Sequence, residues 1–324
     1  MLDVNDFEMK QIIVAFFNNG DTVCFRNDNL LIKGKDGTIK CQATCYRLFA
    51  VFIVGHTSLT TVLIERAKKF GFIIVLFTAS FRIYEVIGFR RDANILLHKK
   101  QYEYQSLAIA KQITMNKINN QRAVLMQNRQ KSEDLKECIK KLDAYRKKIP
   151  DAIHLQDIMG YEGMASRIYF RAHFNTEEWN GRKPRIKSDY INSILDIGYT
   201  VLFAFIEGVL DIYGFDLYCG VMHTLFYMRK SLVCDLVEPF RCIIDKQTKK
   251  SIHLHQFKKE DFEVYNNRYE LSWKKSPSYV AIFLNAILEY KREIFLYIRQ
   301  YYRCFMQQKN ISNYPIFLLN PIDK

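Results

Sequence analysis

Residues 101–127 read QYEYQSLAIAKQITMNKINNQRAVLMQ. Apolar side chains recur there at helical spacing, with Lys111, Lys117 and Arg122 outside the apolar stripe. Around this stretch, from Asn94 to Ile149, the chain holds neither proline nor glycine. Upstream the punctuation is different. TVCFR (22–26) alternates, and NLLIK (29–33) and TIKCQ (38–42) flank GKDG, whose Asp36-Gly37 is a hairpin turn signal. VFIVG (51–55) and FIIVLFT (72–78) are short apolar runs bounded by glycine, and FRIYEV (81–86) reads as another strand. Between them SLTTVLIERAKKF (58–70) has helical periodicity, Ser58 as a candidate N-cap and Gly71 just past its end. The change of character predicts an α+β chain: a β-rich domain with one helix over residues 1–88, a linker over 89–100, and a larger all-α domain over 101–324.

Downstream the helical reading continues. SEDLKECIKKLDAYRKK (132–148) is capped by Ser132, with acids in its first turn and bases in its last. Further helical patterns cover 154–173, 188–212 and 277–306. The loop EEWNGRKPR (177–185), with Gly181 and Pro184, reads as mobile.

The chain has 324 residues, 49% of them hydrophobic and 25% charged, which fits a globular protein. Its 48 Lys and Arg against 34 Asp and Glu give a net charge of +14, which favours polyanionic partners. The acidic, polar start MLDVNDFEMK is not a secretory signal. The apolar stretch 199–215 is broken by Glu207 and Asp211 and reads as too short to span a bilayer. Eight cysteines without a CxxC predict reduced thiols in a cytoplasmic protein.

The chemistry-bearing segment is MHTLFYMRKSLVCDLVEPFR (222–241). Asp235 and Glu238 are three apart and share a helix face, and His223 lies twelve residues before Asp235. Glu162, in MGYEGMASRIYFR (159–171), sits among small residues that leave space beside it. An acid–imidazole–acid set suits Mg²⁺ or Mn²⁺ and phosphodiester chemistry. Blander readings fit the same residues. Asp235-x-x-Glu238 also matches a capping box, His223 a core or capping histidine, Glu162 a solvated helix position, and HLH (253–255) an exposed strand or loop. There is no GxxxxGK[ST], no GxSxG and no ExxH pair.

Taken in order, these motifs resemble the CRISPR-associated spacer-acquisition integrase family. The resemblance runs through RNDNLLIKGKDGTI (26–39), FAVFIVGHTSLTTVLIERAKKFGFIIVLFT (49–78), ANILLHKKQY (93–102) and AKQITMNKINNQR (110–122). It is most specific in YEGMASRIYF (161–170), PRIKSDYINSILDIGYTVL (184–202) and GFDLYCGVMHTLFYMRKSLVCDLVEPFR (214–241). It implies an N-terminal β-sandwich that dimerises and a helical catalytic domain. It also implies a small ferredoxin-fold partner protein bridging two dimers. By motif position Glu162, His223 and Glu238 match the metal ligands, Asp235 a supporting acid, and Asp189 and Asn192 a structural helix start. The implied reaction is insertion of short DNA fragments into a CRISPR array by attack of a 3′-hydroxyl. Less specific cleavage of branched or free DNA is the alternative. Arg171, Arg182, Arg185, Arg229, Lys230 and Arg241 are the expected phosphate contacts, with Lys117 and Gln121 as weaker candidates. Tyr227–Lys230 is more basic and aromatic than the family pattern.

Overall fold

The computed structural model describes residues 2–88, 94–176, 179, 181–223 and 227–319. Two compact units emerge: residues 1–94 together with 207–215, and the remainder.

The first unit is built on two sheets. Strands β1 (Gln11–Phe16), β5 (Leu48–Val54), β6 (Ile73–Phe77) and β7 (Ile83–Gly88) lie side by side in that order. The first three are parallel and β7 is antiparallel. Strands β2 (Thr22–Arg26), β3 (Asn29–Lys33) and β4 (Ile39–Thr44) form an antiparallel meander, with the Asp36-Gly37 turn between β3 and β4. Successive strand residues point to opposite faces. Ile13, Ala15, Val51, Ile53, Ile74 and Leu76 therefore share one face of the larger sheet, and they pack into a single core with Leu30 and Ile32 of β3. Leu63 and Ala67 of helix α2 (Thr61–Phe70) close the same core. Every residue of β5 is buried, as expected of a strand covered on both faces. Phe49, the residue skipped at a register shift between β1 and β5, meets Phe7 of the short helix α1 (Val4–Met9), with ring centroids 5.1 Å apart.

Several boundaries differ from the sequence reading. The domain carries α1 as well as α2, and α2 starts after Thr60 rather than Ser58. It ends at Gly71 in the left-handed region, φ 70°. The linker reading over 89–100 meets helix α3 (Ile95–Glu103), while residues 89–93 lie outside the described ones.

The second unit is mostly helical: α4 (Ala108–Met126), α5 (Glu133–Lys148), α6 (Leu155–His173), α7 (Tyr190–Tyr213), α8 (Ser231–Val237), α9 (Arg241–His253), α10 (Ser276–Leu288) and α11 (Lys291–Met306). The last turns of α7, from Glu207, belong to the first unit. A β-hairpin, β8 (Phe262–Tyr265) with β9 (Arg268–Leu271), interrupts the expected all-α run. Of HLH (253–255), His253 ends α9 and Leu254 and His255 form an exposed turn, the loop form of the sequence reading. Ser132 caps α5 as expected, accepting from Leu135 N. Asp189 Oδ1 accepts from Asn192 N at 2.8 Å at the start of α7.

The 24-residue α7 is long and apolar enough to cross a membrane, against the sequence reading of its segment as too short. However, 83% of its most apolar window is buried inside the fold, as in a core helix.

Candidate functional site

Lys117 and Gln121 lie one turn apart on α4 and face α6. The Lys117 ammonium pairs with Glu162 Oε1 of α6 and lies 2.6 Å from Glu238 Oε2. Ser166, one turn beyond Glu162, donates to Glu162 Oε1 at 2.7 Å and accepts from Gln121 Nε2 at 3.2 Å. Glu238 opens a one-turn 3₁₀ segment, Glu238–Phe240, that joins α8 to α9. Pro239 follows it directly, and Arg241 Nε donates back to Glu238 Oε1 at 2.9 Å. Glu238 is only 5% exposed. Burial by itself would push its carboxyl up, but Arg241 and Lys117 outweigh that and hold it down to about 2. Burial likewise works against the Lys117 ammonium, and the attraction of Glu162 and Glu238 more than restores it. The result is two carboxylates, from separate elements, arranged around one buried positive charge.

Asp235 sits inside α8, so the capping-box reading is corrected. Its carboxylate is fully buried and faces back onto the 220–223 backbone. Oδ2 accepts from Val221 N at 2.6 Å and Met222 N at 3.0 Å, and Oδ1 accepts from His223 N at 2.9 Å. His223 Nδ1 lies 2.6 Å from the same Oδ1. Gly220 permits this approach, since a Cβ there would lie 2.6 Å from Asp235 Oδ2. Nδ1 being engaged, Nε2 is the ring nitrogen left to a ligand.

A further layer holds Glu238 from behind. The Arg241 guanidinium lies over the Tyr199 ring at 4.6 Å, and Arg182 lies over the same ring at 5.2 Å. The Tyr199 hydroxyl donates to Asp245 Oδ1. Asp245 is buried, which pushes its carboxyl up to about 6 against the opposing pull of the Tyr199 and Tyr169 hydroxyls. On α4, Asn120 Nδ2 donates to Pro239 O and Phe317 O, each at 3.0 Å, and Asn120 Oδ1 accepts from Leu319 N at 3.1 Å. Asn116 completes the grip on the extended tail, donating to Phe317 O at 2.6 Å and accepting from Phe317 N at 2.9 Å.

The basic residues read as phosphate contacts divide accordingly. Arg171 and Arg185 are exposed, and Arg229 and Lys230 are half-buried. Arg182 instead bonds Asn192 Oδ1 at 2.9 Å and Asp196 Oδ1 at 2.5 Å, which together with Arg185 N→Asp196 Oδ2 at 2.9 Å anchors the loop read as mobile. Its residues Glu177, Glu178 and Asn180 lie outside the described ones. Arg241, Lys117 and Gln121 face inward on the carboxylates and Ser166. Sequence reasoning missed the inward roles of Lys117 and Gln121 because their partners are 45 and more residues away, and only the Glu238–Arg241 spacing of three hinted at the role of Arg241.

Among the described residues no group of three or more His, Cys, Asp and Glu side chains converges as a metal cluster. Glu162 and Glu238 do share one cation, and their oxygen donors suit a hard divalent ion. Gln121 Oε1 is buried beside them without a hydrogen-bond partner.

Residues 14–284 match the sequence family described as CRISPR associated protein Cas1. The chain is 29% identical over 252 residues to a CRISPR-associated endonuclease Cas1 of Francisella tularensis subsp. novicida, spanning 74% of this chain and 77% of that one. It is 26% identical over 285 residues to a CRISPR-associated protein Cas1 of Methanobrevibacter ruminantium, spanning 82% and 84%. Its fold is shared with a casposase bound to integration product (TM-score 0.80, 19% identity, 98% of this chain and 96% of that one). It is shared also with a Cas1 protein from Thermotoga maritima (TM-score 0.80, 17% identity, 91% and 97%). The chain belongs to the Cas1 family, whose curated relatives include CRISPR-associated endonucleases.

Proposed function

We propose that this protein inserts short foreign DNA fragments into a CRISPR array by transesterification, a 3′-hydroxyl of the incoming DNA attacking a phosphodiester at the repeat edge. The observation that carries the reading is the pair of carboxylates, Glu162 and Glu238, brought from two elements around one cation. These two acids, with Nε2 of His223, would hold Mg²⁺ or Mn²⁺. Such an ion, when bound, polarises the scissile phosphate and offsets charge developing on its oxygens. Asp235 fixes the tautomer and orientation of His223 and is a supporting residue, because its oxygens are already committed to three backbone N–H groups and the ring. Arg241 keeps Glu238 ionised and oriented. The attacking oxygen comes from the DNA, so the chain need supply no nucleophile.

Exposed Arg171 and Arg185, with Arg229 and Lys230, hold backbone phosphates. Such contacts position the duplex without reading sequence and weaken steeply with salt. The β-rich unit serves as the dimerisation domain, and a small ferredoxin-fold protein bridges two dimers in the cytoplasm.

A strand-transfer assay tests this. Purified protein, with and without such a partner, receives a labelled short duplex and a supercoiled repeat-bearing plasmid with Mg²⁺ or Mn²⁺. Label joins the plasmid with the native chain and is lost with Glu162→Ala and His223→Ala. Cleavage without joining would replace the integrase reading by the less specific nuclease.

A further inference from the structure

We propose that Lys117 is a resident counter-cation that a divalent ion must displace, so that this one lysine sets how tightly the site takes its metal. The inference rests on the metal reading of Glu162 and Glu238 given above. Its ammonium lies between the two acids, on Glu162 Oε1 and 2.6 Å from Glu238 Oε2, with the side chain only 11% exposed. Arg241 approaches Glu238 on the other oxygen, Oε1. The lysine is therefore the positive group between the carboxylates, while the arginine braces one of them from outside.

A buried and a half-buried carboxylate facing each other with no cation between them repel and lose hydration. Lys117 removes that cost when no metal is bound. A divalent ion held by the same oxygens cannot share the position with an ammonium. Loading therefore exchanges one cation for another, with no bond formed or broken. An ammonium on a flexible four-carbon stem is suited to such withdrawal, where a planar guanidinium is not. Once displaced, it remains tethered to α4 beside the site, where a substrate phosphate is the natural partner for its charge. Lys117 would then reach DNA only after metal has arrived, which orders the two events.

Mn²⁺ titration calorimetry and thermal melting, on the whole chain with native, Lys117→Met, Lys117→Gln and Glu162→Gln proteins, decide the matter. Loss of an ordinary supporting residue weakens metal binding, whereas loss of a competitor strengthens it. Lys117→Met should bind Mn²⁺ about tenfold tighter than the native chain, the change given by removing about 1.4 kcal/mol of competition. Without metal it should melt lower, and Mn²⁺ should raise its Tm by more than the native chain's. A Lys117→Met chain that folds only with Mn²⁺ supports the proposal equally. Should it fold in neither condition, Lys117→Gln, which keeps a polar group, reads the same contrast. Unchanged or weaker Mn²⁺ binding by both lysine variants, with native binding abolished by Glu162→Gln, overturns the counter-cation and leaves the metal site standing. Native binding that Glu162→Gln does not alter overturns both.

Discussion

Glu238 and Asp245 lie seven residues apart on one continuous segment, and both are buried. Yet one carboxyl is held down to about 2 and the other is pushed up to about 6. Burial acts on both in the same direction. What separates them is the company. Glu238 has the Arg241 guanidinium and the Lys117 ammonium against its two oxygens, whereas Asp245 has the Tyr199 and Tyr169 hydroxyls. Neutral donors satisfy hydrogen bonds, but they do not supply opposite charge. The carboxylate furnished with cations is thus kept anionic, and the one that meets tyrosine hydroxyls is pushed toward its neutral form.

Removing a cation is the strongest way to break the contrast. Arg241→Met leaves Glu238 buried with Lys117 alone and should cost about 3–5 kcal/mol at pH 7, the range for breaking a buried pair. Glu238's depressed value means its contribution is complete above about pH 4.5 and is lost as pH falls through about 2. The deficit, read by urea denaturation, should therefore shrink between pH 5 and pH 3. An equal deficit at both values would mean that packing on Tyr199, not charge, is what Arg241 provides.

Asp245 has the opposite sign. Its carboxyl is raised from 3.8 to about 6, so between those values the folded chain holds a proton that the unfolded chain has released. Stability falls as pH rises through that window, by roughly 3 kcal/mol at about 1.4 kcal/mol per unit. Asp245→Asn cannot ionise and should gain on the native chain by about 2 kcal/mol of that between pH 4 and pH 6. Parallel stability curves would show that the aspartate is not protonated at all.

The smallest effect sharpens the comparison by leaving it untouched. Arg171→Ala, at an exposed position, should change stability by less than about 0.5 kcal/mol. It should lower the slope of log binding against log salt by about 0.9 for one lost phosphate contact. An unaltered slope would remove Arg171 from the DNA surface.

Most of the secondary structure was legible, because its signals are local. The Asp36-Gly37 turn, the Gly71 stop and the Ser132 cap each act within a few residues. Strand β1 was missed: QIIVAF has no alternation and pairs in parallel with a strand 37 residues further on at Leu48. The pattern 277–306 was read as continuous because the break between Leu288 and Lys291 carries neither proline nor glycine. The proposed site residues Glu162, His223, Asp235 and Glu238 were picked out by ordered motifs. The Asp235-x-x-Glu238 spacing was ambiguous, since a cap and a shared helix face look alike in sequence. Only the return of the 220–223 backbone onto Asp235 separates them. The inward turn of Lys117, Arg182 and Arg241 was illegible, because a buried and a solvated cation are the same letter.

Helix α4 carries two neighbouring pairs, Asn116 with Asn120 and Lys117 with Gln121. The first pair grips the tail and the second the carboxylates and Ser166. Each added residue rotates an α-helix by about 100°. A single insertion between Ala110 and Asn116 would swing both pairs off their targets together, without altering one functional side chain. Over that turn the helical register matters as much as residue identity, and length is as much a part of the arrangement as composition.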